Sequence, residues 1–363
     1  MHATRSEQLP STRFRIVVLS ALLLALPGSA RGASFLLGPP DESAGGPTNV
    51  SVGVFVSDVN AVSEQQETFE FEATLTLKWR DPRQAFDPAE AGVSEKVYQG
   101  GYQFSEVYDG WWPQLILANE SGQFETQGVF LRIEPEGSLT LIQEFNAVAE
   151  MPMQLRRFPF DRQHFEAIFE VLGLGPDRVM LVADPEITGS MGQGVNIAQW
   201  VLHGVHASAR QIDPIYGRGH AEPLSQLVVT LDMSRQPGHL LQVVVAPLAL
   251  LVLLTFSVFW MDRESLGDRM DISFIGILSL VAYQIVVSEH MPAIAYFTLM
   301  NGFLYSTYLL LTAGVVINLV VSKLDQAGRG SVGNRIDRTC RWAFPLLFVG
   351  LNVLNVLYFF AFW

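Results

Sequence analysis

The 363-residue chain has a formal net charge of −13, is 49% hydrophobic and contains one cysteine, Cys340. Its mean hydropathy of +0.26 is high for a soluble protein and low for an all-membrane one, so we expect a soluble part and a membrane part. The negative charge argues against nucleic-acid binding, which needs a basic surface, and the single cysteine excludes an internal disulfide and thiol-based metal or redox pairs.

The first 30 residues have the pattern of a secretory signal peptide. Arg5, Arg13 and Arg15 form a basic start, and residues 16–26 form an apolar run too short to cross a membrane comfortably. Small residues up to Ala30 supply a cleavage site. We therefore expect the mature chain, which begins with a linker at residues 31–48, to start outside the cytoplasm. A retained membrane anchor is the alternative.

Residues 49–236 show strand patterns separated by breaks rich in Gly, Pro and Asp. Polar and apolar residues alternate over residues 68–79, which is typical of a half-buried antiparallel strand. Similar patterns occur at residues 49–56, 143–149, 164–171, 200–208 and 226–233. Many short strands at this spacing predict an extracytoplasmic antiparallel β-sandwich.

The same region lacks the motifs of common catalytic sites. It has no nucleophile elbow, no HExxH, no phosphate-binding glycine loop and no CxxC. His203 and His206 are three residues apart in a strand pattern, so we expect them on opposite faces and predict no metal pair there. We therefore predict no enzyme activity and no cofactor. A membrane-anchored periplasmic enzyme and a non-conducting membrane receptor remain as alternatives.

Residues 237–363 contain four apolar segments, which predict an α-helical transmembrane domain. The segments cover residues 239–260, 267–289, 296–321 and 342–362. The loops after the first and third segments carry Lys and Arg, whereas residues 288–295, between the second and third, carry neither. By the positive-inside rule, both basic loops lie in the cytoplasm. We expect a multi-pass protein whose N-terminal domain and C-terminus lie on the outer side of the membrane.

The second apolar segment carries acidic residues at both ends of one helical stripe. Residues spaced alternately by three and four lie along one face of a helix. Here they are Asp268, Asp271, Ile275, Leu278, Ala282, Ile285 and Glu289. A carboxylate facing lipid is costly, so the stripe predicts several copies around a water-filled axis, with charged rings and an apolar constriction. The alternative places the terminal acids in the lipid headgroup regions.

Six short motifs follow one another along the chain. They are Trp79-Arg80-Asp81, Trp111-Trp112-Pro113 with Asn119, Phe158-Pro159-Phe160-Asp161, Arg235, Pro247 and Pro292. In this order and with this topology, they resemble the pentameric ligand-gated ion channel family. The two loop cysteines of the animal receptors would fall at Met151 and Phe165, so the chain is similar to prokaryotic members, which lack that disulfide. Its second segment is most similar to a bacterial amine-gated member.

The resemblance implies a homopentamer in a bacterial inner (plasma) membrane, with an extracytoplasmic ligand-binding domain and a pore lined by the stripe. Asp268 would form the inner selectivity ring, and Asp271 a second ring one turn further on. We expect monovalent cations to permeate, with either permeation or block by divalent cations at these acids. Leu278 matches the family's central gate residue, and Ile275 replaces a hydroxyl. An off-axis ion pair with Arg269 is the alternative for Asp271.

The resemblance also implies that charges at the domain boundary couple the two domains. Asp161 and Arg235, with Glu64 in the turn before residue 68, are the expected ionic cluster. The other residues of the family's junction are Phe158, Pro159 and Pro292. A purely structural salt bridge is the alternative.

The ligand is the least defined part of this prediction. Family members bind amines with aromatic side chains between subunits. The matching positions here are Thr74, Ala118 and Leu172. Tyr216 and Trp200 are the remaining aromatic candidates, with a core position as the alternative for Trp200. Glu289 and His290 form an adjacent pair that includes a side chain titrating near neutral pH. We therefore expect gating by an unidentified small ligand or by protons.

Overall fold

The computed structural model describes residues 38–40, 46–191, 199–213, 223–262, 265–289 and 294–362. The predicted signal peptide and most of the linker lie outside these residues, as do Tyr216, His290 and Pro292. The described residues form a β-sandwich followed by four long apolar helices, so the predicted fold class is confirmed.

Eleven strands of the described residues form the two sheets of the sandwich. They are β1 (Thr48–Ser63), β2 (Thr68–Arg80), β3 (Lys96–Gln99), β4 (Leu115–Leu117), β5 (Glu120–Ile133), β6 (Ser138–Glu150), β7 (Arg162–Val171), β8 (Val179–Ala183), β9 (Gly189–Ser190), β10 (Trp200–Ile212) and β11 (Leu224–Arg235). Short helical turns occupy Pro82–Gln84, Pro88–Ala91, Gly100–Tyr102 and Gln103–Val107. The first sheet has the order β3-β5-β6-β2-β1-β8, with β9 also beside β1, and the second has the order β10-β11-β7-β4.

Alternation along β2 buries one face of the first sheet against the second sheet. Phe69 and Phe71 are at most 1% exposed, whereas Glu70 and Glu72 lie on the opposite, partly exposed face. Phe69 packs edge-on against Phe165 of β7, with ring centroids 5.1 Å apart. Because side chains alternate along a strand, a shift of one residue would turn this aromatic face outward, and the pattern therefore fixes the pairing.

The expectation that His203 and His206 face opposite sides is wrong, because β10 contains a bulge. Its pairing with β11 shifts between Leu202 and Gly204, which leaves His203 as an extra residue. Leu202 before the bulge and Val205 after it both pack against the core. His203 and His206 are consequently both exposed on the outer face of the second sheet.

Four helices are long and apolar enough to cross a membrane. They are the first span (Gly238–Trp260), the second span (Leu266–Glu289), the third span (Leu299–Gln326) and the fourth span (Gly330–Phe362). The first span follows β11 directly, so one end of the helix bundle adjoins the sandwich. We call this the sandwich end, and the opposite end the far end.

The first span changes its helical type three times. After Gly238–Leu240 it forms a π-helical turn at Leu241–Val245, an α-helix at Ala246–Thr255 and a 3-10 end at Phe256–Trp260. Pro247 is the second residue after the π-helical turn. Proline has no N–H to donate to the preceding turn, and the wider π turn accommodates that gap in the hydrogen-bond ladder.

The fourth span begins earlier than the apolar segment that predicted it. The helix starts at Gly330, in a stretch expected to be a loop, whereas the predicted segment starts at residue 342. The buried residues of this extension are Gly333, Asp337 and Cys340, at helical spacings of four and three. Its other positions are mostly polar, so mean hydropathy does not reveal the helix. Gly328, at φ 76°, supplies the left-handed residue that separates the third and fourth spans.

Candidate functional site

The stripe of the second span is the exposed face of that helix. All seven of its residues are exposed in the protomer: Asp268, Asp271, Ile275, Leu278, Ala282, Ile285 and Glu289. Leu278, in the middle of the stripe, is 71% exposed. A single chain therefore presents a continuous unpacked surface, acidic at both ends and apolar between them.

The opposite face of the second span packs against the other helices. Its buried residues are Arg269, Ser273, Gly276, Leu280 and Val287. The first span approaches closely at Gly276, where a Cβ atom would lie 2.6 Å from Thr255 Oγ1. A side chain of any size would clash, so this approach requires glycine.

Arg269 is the largest fully buried side chain of the described residues, with 1% exposure. Its Nε donates to the Val258 carbonyl oxygen of the first span at 3.0 Å. Its Nη2 donates to Asp337 Oδ2 of the fourth span at 2.9 Å, and this carboxylate is also buried. Arg269 thus contacts Asp337 inside the bundle, and the ion pair with Asp271 that the sequence left open does not form.

Arg235, the last residue of β11, is the centre of an ionic cluster at the domain boundary. It is 5% exposed. Its Nε donates to Asp161 Oδ1 at 2.9 Å, and its Nη1 donates to Glu64 Oε1. Asp161 also accepts a hydrogen bond from Gln163 Nε2 at 2.7 Å. The three charges expected to meet are therefore in direct contact.

Two aromatic rings enclose the Arg235 guanidinium group. Its Cζ atom lies 4.2 Å from the centroid of Trp200 and 4.9 Å from that of Phe158, in reach of cation–π attraction. Trp200 is 3% exposed and also packs against Phe165. The structure therefore places Trp200 inside the ionic cluster, away from any surface that a ligand could reach in the protomer.

The loop between β6 and β7 is hydrogen-bonded to the start of the third span. Tyr296 Oη accepts from the Leu155 N–H at 3.0 Å and donates to the Met153 carbonyl at 3.1 Å. The Leu299 N–H donates to the Arg156 carbonyl at 2.9 Å. These hydrogen bonds connect the loop directly to the start of the third span.

Two cavities lie between the sandwich and the spans, and their lining residues show which spans the sandwich loops approach. One, of about 90 Å³, is lined by Glu64 and Arg235 and by Val286 of the second span. The other, of about 190 Å³, is lined by Pro159 and Phe160 and by residues of the first, third and fourth spans. The turn between β1 and β2 therefore lies near the second span, and the loop between β6 and β7 near the fourth.

A second ionic group lies on the outer face of the second sheet. Arg162 donates two hydrogen bonds to the Asp232 carboxylate, and His164 Nδ1 lies 3.6 Å from Asp232 Oδ1. The hydrogen bonds from Arg162 hold the pKa of Asp232 below its usual value. Sequence reasoning missed this group, because its members meet only through the pairing of β7 with β11.

Three further residues of these clusters were not singled out from the sequence. Gln163 follows Asp161 by two residues in a strand-like run, which places both side chains on one face, so the signal was present. Tyr296 opens the third apolar segment, where an aromatic residue is unremarkable. Asp337 lies outside the apolar segments, and only the need of a buried Arg269 for a partner could have indicated it.

Residues 37–237 match the family described as "Neurotransmitter-gated ion-channel ligand binding domain", and residues 244–329 match "Neurotransmitter-gated ion-channel transmembrane region". The chain belongs to the neurotransmitter-gated ion-channel family. The resemblance drawn from the six motifs is confirmed. This family consists of ligand-gated ion channels, so the chain is not an enzyme, and its four spans make it a membrane protein.

Channels and receptor subunits of this family align with most of the chain. A proton-gated ion channel of Gloeobacter violaceus is 24% identical over 327 residues, which cover 90% of this chain and 88% of the relative. The acetylcholine receptor subunit beta of Xenopus laevis is 25% identical over 76% of this chain, and that of Rattus norvegicus 25% over 78%. The matches cover 56% and 58% of these two receptor subunits, so the chain spans little more than half their length.

Within the part of the protomer that the structure describes, no group of three or more His, Cys, Asp or Glu residues could hold a metal ion.

Proposed function

We propose that this chain is the subunit of a homopentameric, cation-selective channel of a bacterial inner membrane. The observation that carries the proposal is the two-faced second span. Its stripe is open, with Leu278 71% exposed, whereas Arg269 on the opposite face is 1% exposed. Carboxylates at lipid-facing positions are costly, so an open face that begins at Asp268 and ends at Glu289 favours a water-filled axis. Five copies would surround that axis with rings of acids.

In this proposal the sandwich and the C-terminus lie on the periplasmic side, and the far end of the bundle is cytoplasmic. The basic loops after the first and third segments support this orientation. Asp268 and Asp271 would then surround the cytoplasmic mouth, and Glu289 the outer mouth. Lipid would contact the exposed apolar side chains of the fourth span, such as Leu346 and Leu354.

The test of ion conduction is the reversal potential of the purified protein in planar bilayers under a KCl gradient. We expect a reversal potential close to the potassium equilibrium potential. Asp268→Asn and Asp271→Asn should move it towards zero and change block or permeation by divalent cations, because each substitution removes a ring of charge. Asp262→Asn is the matched control, since Asp262 is an exposed acid at the far end of the first span. A bilayer that stays silent over a full range of pH and amines would contradict the channel and favour a non-conducting receptor.

The apolar middle of the stripe is the proposed gate. Ile275, Leu278, Ala282 and Ile285 would form consecutive apolar rings, which close a pore by dewetting. Leu278→Ser should wet the constriction and lower the stimulus needed for half-maximal current roughly tenfold, which corresponds to about 1.4 kcal/mol. Leu346→Ser, on the lipid-facing fourth span, is the control. An unchanged threshold in oocyte recordings would remove Leu278 from the gate.

The cluster of Glu64, Asp161 and Arg235 is proposed to couple the sandwich to this gate, together with Phe158, Pro159 and Pro292. What supports it is the position of the cluster, since it shares a cavity with Val286 of the second span. Charge-assisted hydrogen bonds that differ between two states of the junction can bias a two-state gate.

Protons or a small ligand are the proposed stimulus. The Gloeobacter violaceus relative is called proton-gated, so pH is the first variable to scan, followed by amines. Glu289 and His290 at the outer mouth are the candidate pair for a proton response. Tyr216 is the candidate aromatic residue for a ligand, with Trp200 acting through Arg235. If pH activates the His290→Gln variant as it activates the unaltered protein, this pair does not produce the pH response.

A further inference from the structure

A buried polar layer joins all four spans at the far end of the bundle. Arg269 of the second span donates to the Val258 carbonyl of the first and to the Asp337 carboxylate of the fourth. One turn further along the second span, Ser273 Oγ donates to the Arg269 carbonyl and accepts from Asn318 Nδ2 of the third span at 3.3 Å. All four of these side chains are at most 3% exposed.

This layer lies on the opposite side of the helix from the stripe. Successive residues of an α-helix are about 100° apart, so Asp268 and Asp271 lie about 100° and 160° away from Arg269, and Leu278 about 180° away. Any rotation of the second span that moves the acids therefore moves Arg269 as well. Arg269 is in turn held by partners on two other helices.

The pairing of Arg269 with Asp337 opposes rotation of the second span, because both charges are buried and rotation would separate them. A guanidinium group buried inside a helix bundle must stay paired, because losing one partner of a buried pair leaves the other charge without compensation. Apolar contacts between membrane helices are less directional and tolerate some rotation. Asp337 supplies the only carboxylate that Arg269 contacts within the described residues.

We propose that Asp337 is a positioning residue for the pore: by holding Arg269, it fixes the rotation of the second span and aims Asp268 and Asp271 at the pore axis. This inference rests on the proposed function, since it assumes that the stripe faces a shared axis. It gives the fourth span, which never reaches the stripe, a part in setting ion selectivity.

Conductance and reversal potential in planar bilayers test the proposal. Asp337→Asn should lower the single-channel cation conductance roughly threefold or more, as the acids turn away from the permeating ions, and should move the reversal potential towards zero. Asp337→Glu keeps the carboxylate and should retain most of the selectivity. Arg338→Gln, an exposed neighbour on the same helix, removes a charge without touching the layer and should behave as the unaltered protein.

A double variant separates positioning from stability. Arg269→Met combined with Asp337→Leu replaces the ion pair by apolar side chains, which commonly preserves or raises stability. If the pair sets the rotation, the double variant assembles and still has reduced conductance and selectivity. Wild-type conductance and reversal potential in the double variant would overturn the proposal. This test still decides if Asp337→Asn alone fails to assemble.

Spin-label distances keep the test independent of conduction. In a Cys340→Ala background, labels at Asp268→Cys report the separation of these positions across the ring by double electron–electron resonance. Side chains extend about 5–6 Å from a helix axis, so a rotation that turns residue 268 outward lengthens the distances by several ångströms. We expect this shift on adding Asp337→Asn. Silent bilayers would contradict the proposed channel alone, whereas unchanged distances would contradict the role of Asp337.

Discussion

Two arginines are buried among the described residues, one at the domain boundary and one inside the helix bundle, and each needs partners for its charge. Arg235 lies between the sandwich and the spans and contacts two carboxylates and two aromatic rings. Arg269 lies inside the helix bundle and contacts one carboxylate and one backbone carbonyl. Each guanidinium group is buried in the protomer only because its partners satisfy it.

The difference between the two sites lies in what their partners can do. The partners of Arg235 come from the β1–β2 turn of the first sheet and from the loop that joins β6 of the first sheet to β7 of the second. A relative movement of those segments changes the hydrogen bonds of Arg235, which suits a coupling site. The partners of Arg269 are helices packed side by side, which suits a fixed support. Three substitutions test the coupling site around Arg235, and Gly276→Ala and Asp232→Asn test a helix contact and a surface ion pair for comparison, in roughly decreasing order of expected effect.

Arg235→Ala should have the largest effect. It leaves Asp161 buried without its cation, so we expect a loss of about 3–5 kcal/mol in the free energy of unfolding. If the protein still reaches the cell surface, the response to the stimulus should be absent. Surface labelling combined with current recording separates these outcomes, and Arg80→Ala, at an exposed arginine, is the control. A normal response in surface-expressed Arg235→Ala would exclude the coupling role.

Asp161→Asn and Glu64→Gln should lower the free energy of unfolding by different amounts. The Asp161 side chain is 1% exposed and that of Glu64 is 18% exposed, so water can replace part of the Glu64 interaction. We expect about 1.5–3 kcal/mol for Asp161→Asn and about half of that for Glu64→Gln, measured by denaturant unfolding. Coupling would be indicated if Glu64→Gln shifted the gating threshold more than its stability cost suggests. Equal losses for both variants would contradict the burial argument.

Gly276→Ala should disturb the approach of the first and second spans. The added Cβ would lie 2.6 Å from Thr255 Oγ1, so one helix has to move, at a cost of about 1–3 kcal/mol. Adding Thr255→Ala removes the nearest atoms and should recover part of the loss. Thermal unfolding in detergent measures both variants. If the double variant is no more stable than Gly276→Ala, the clash with Thr255 is not the cause of the lost stability.

Asp232→Asn should have the smallest effect and a distinct pH dependence. Because Arg162 lowers the pKa of Asp232 in the folded state, the pair contributes stability at pH values above the unfolded pKa of about 3.9. That contribution is lost as the pH falls through the folded pKa. The stability difference between Asp232→Asn and the unaltered protein should therefore be constant near neutral pH and shrink below about pH 4. A difference independent of pH down to pH 2 would contradict this.

Periodicity and short motifs were enough to locate the stripe and the junction. The stripe from Asp268 to Glu289 follows from helical spacing alone, and Asp161 with Arg235 follows from the motif order. The bulge at His203 could not be predicted, because an extra residue in a strand leaves no mark in one sequence. Asp337 was missed for a different reason: its helix begins in a polar stretch, where the search for apolar segments has no signal.

The β1–β2 hairpin also has a mechanical consequence. β2 alone has 13 residues, and at about 3.3 Å per residue it extends roughly 40 Å from the boundary. β1 is paired with it along its length and β6 supports its other edge. A stiff rod of that length, tilted by about 5°, displaces its tip by about 3–4 Å. If the hairpin pivots about its end remote from the membrane, a tilt of a few degrees would therefore move Glu64 by about the length of one hydrogen bond.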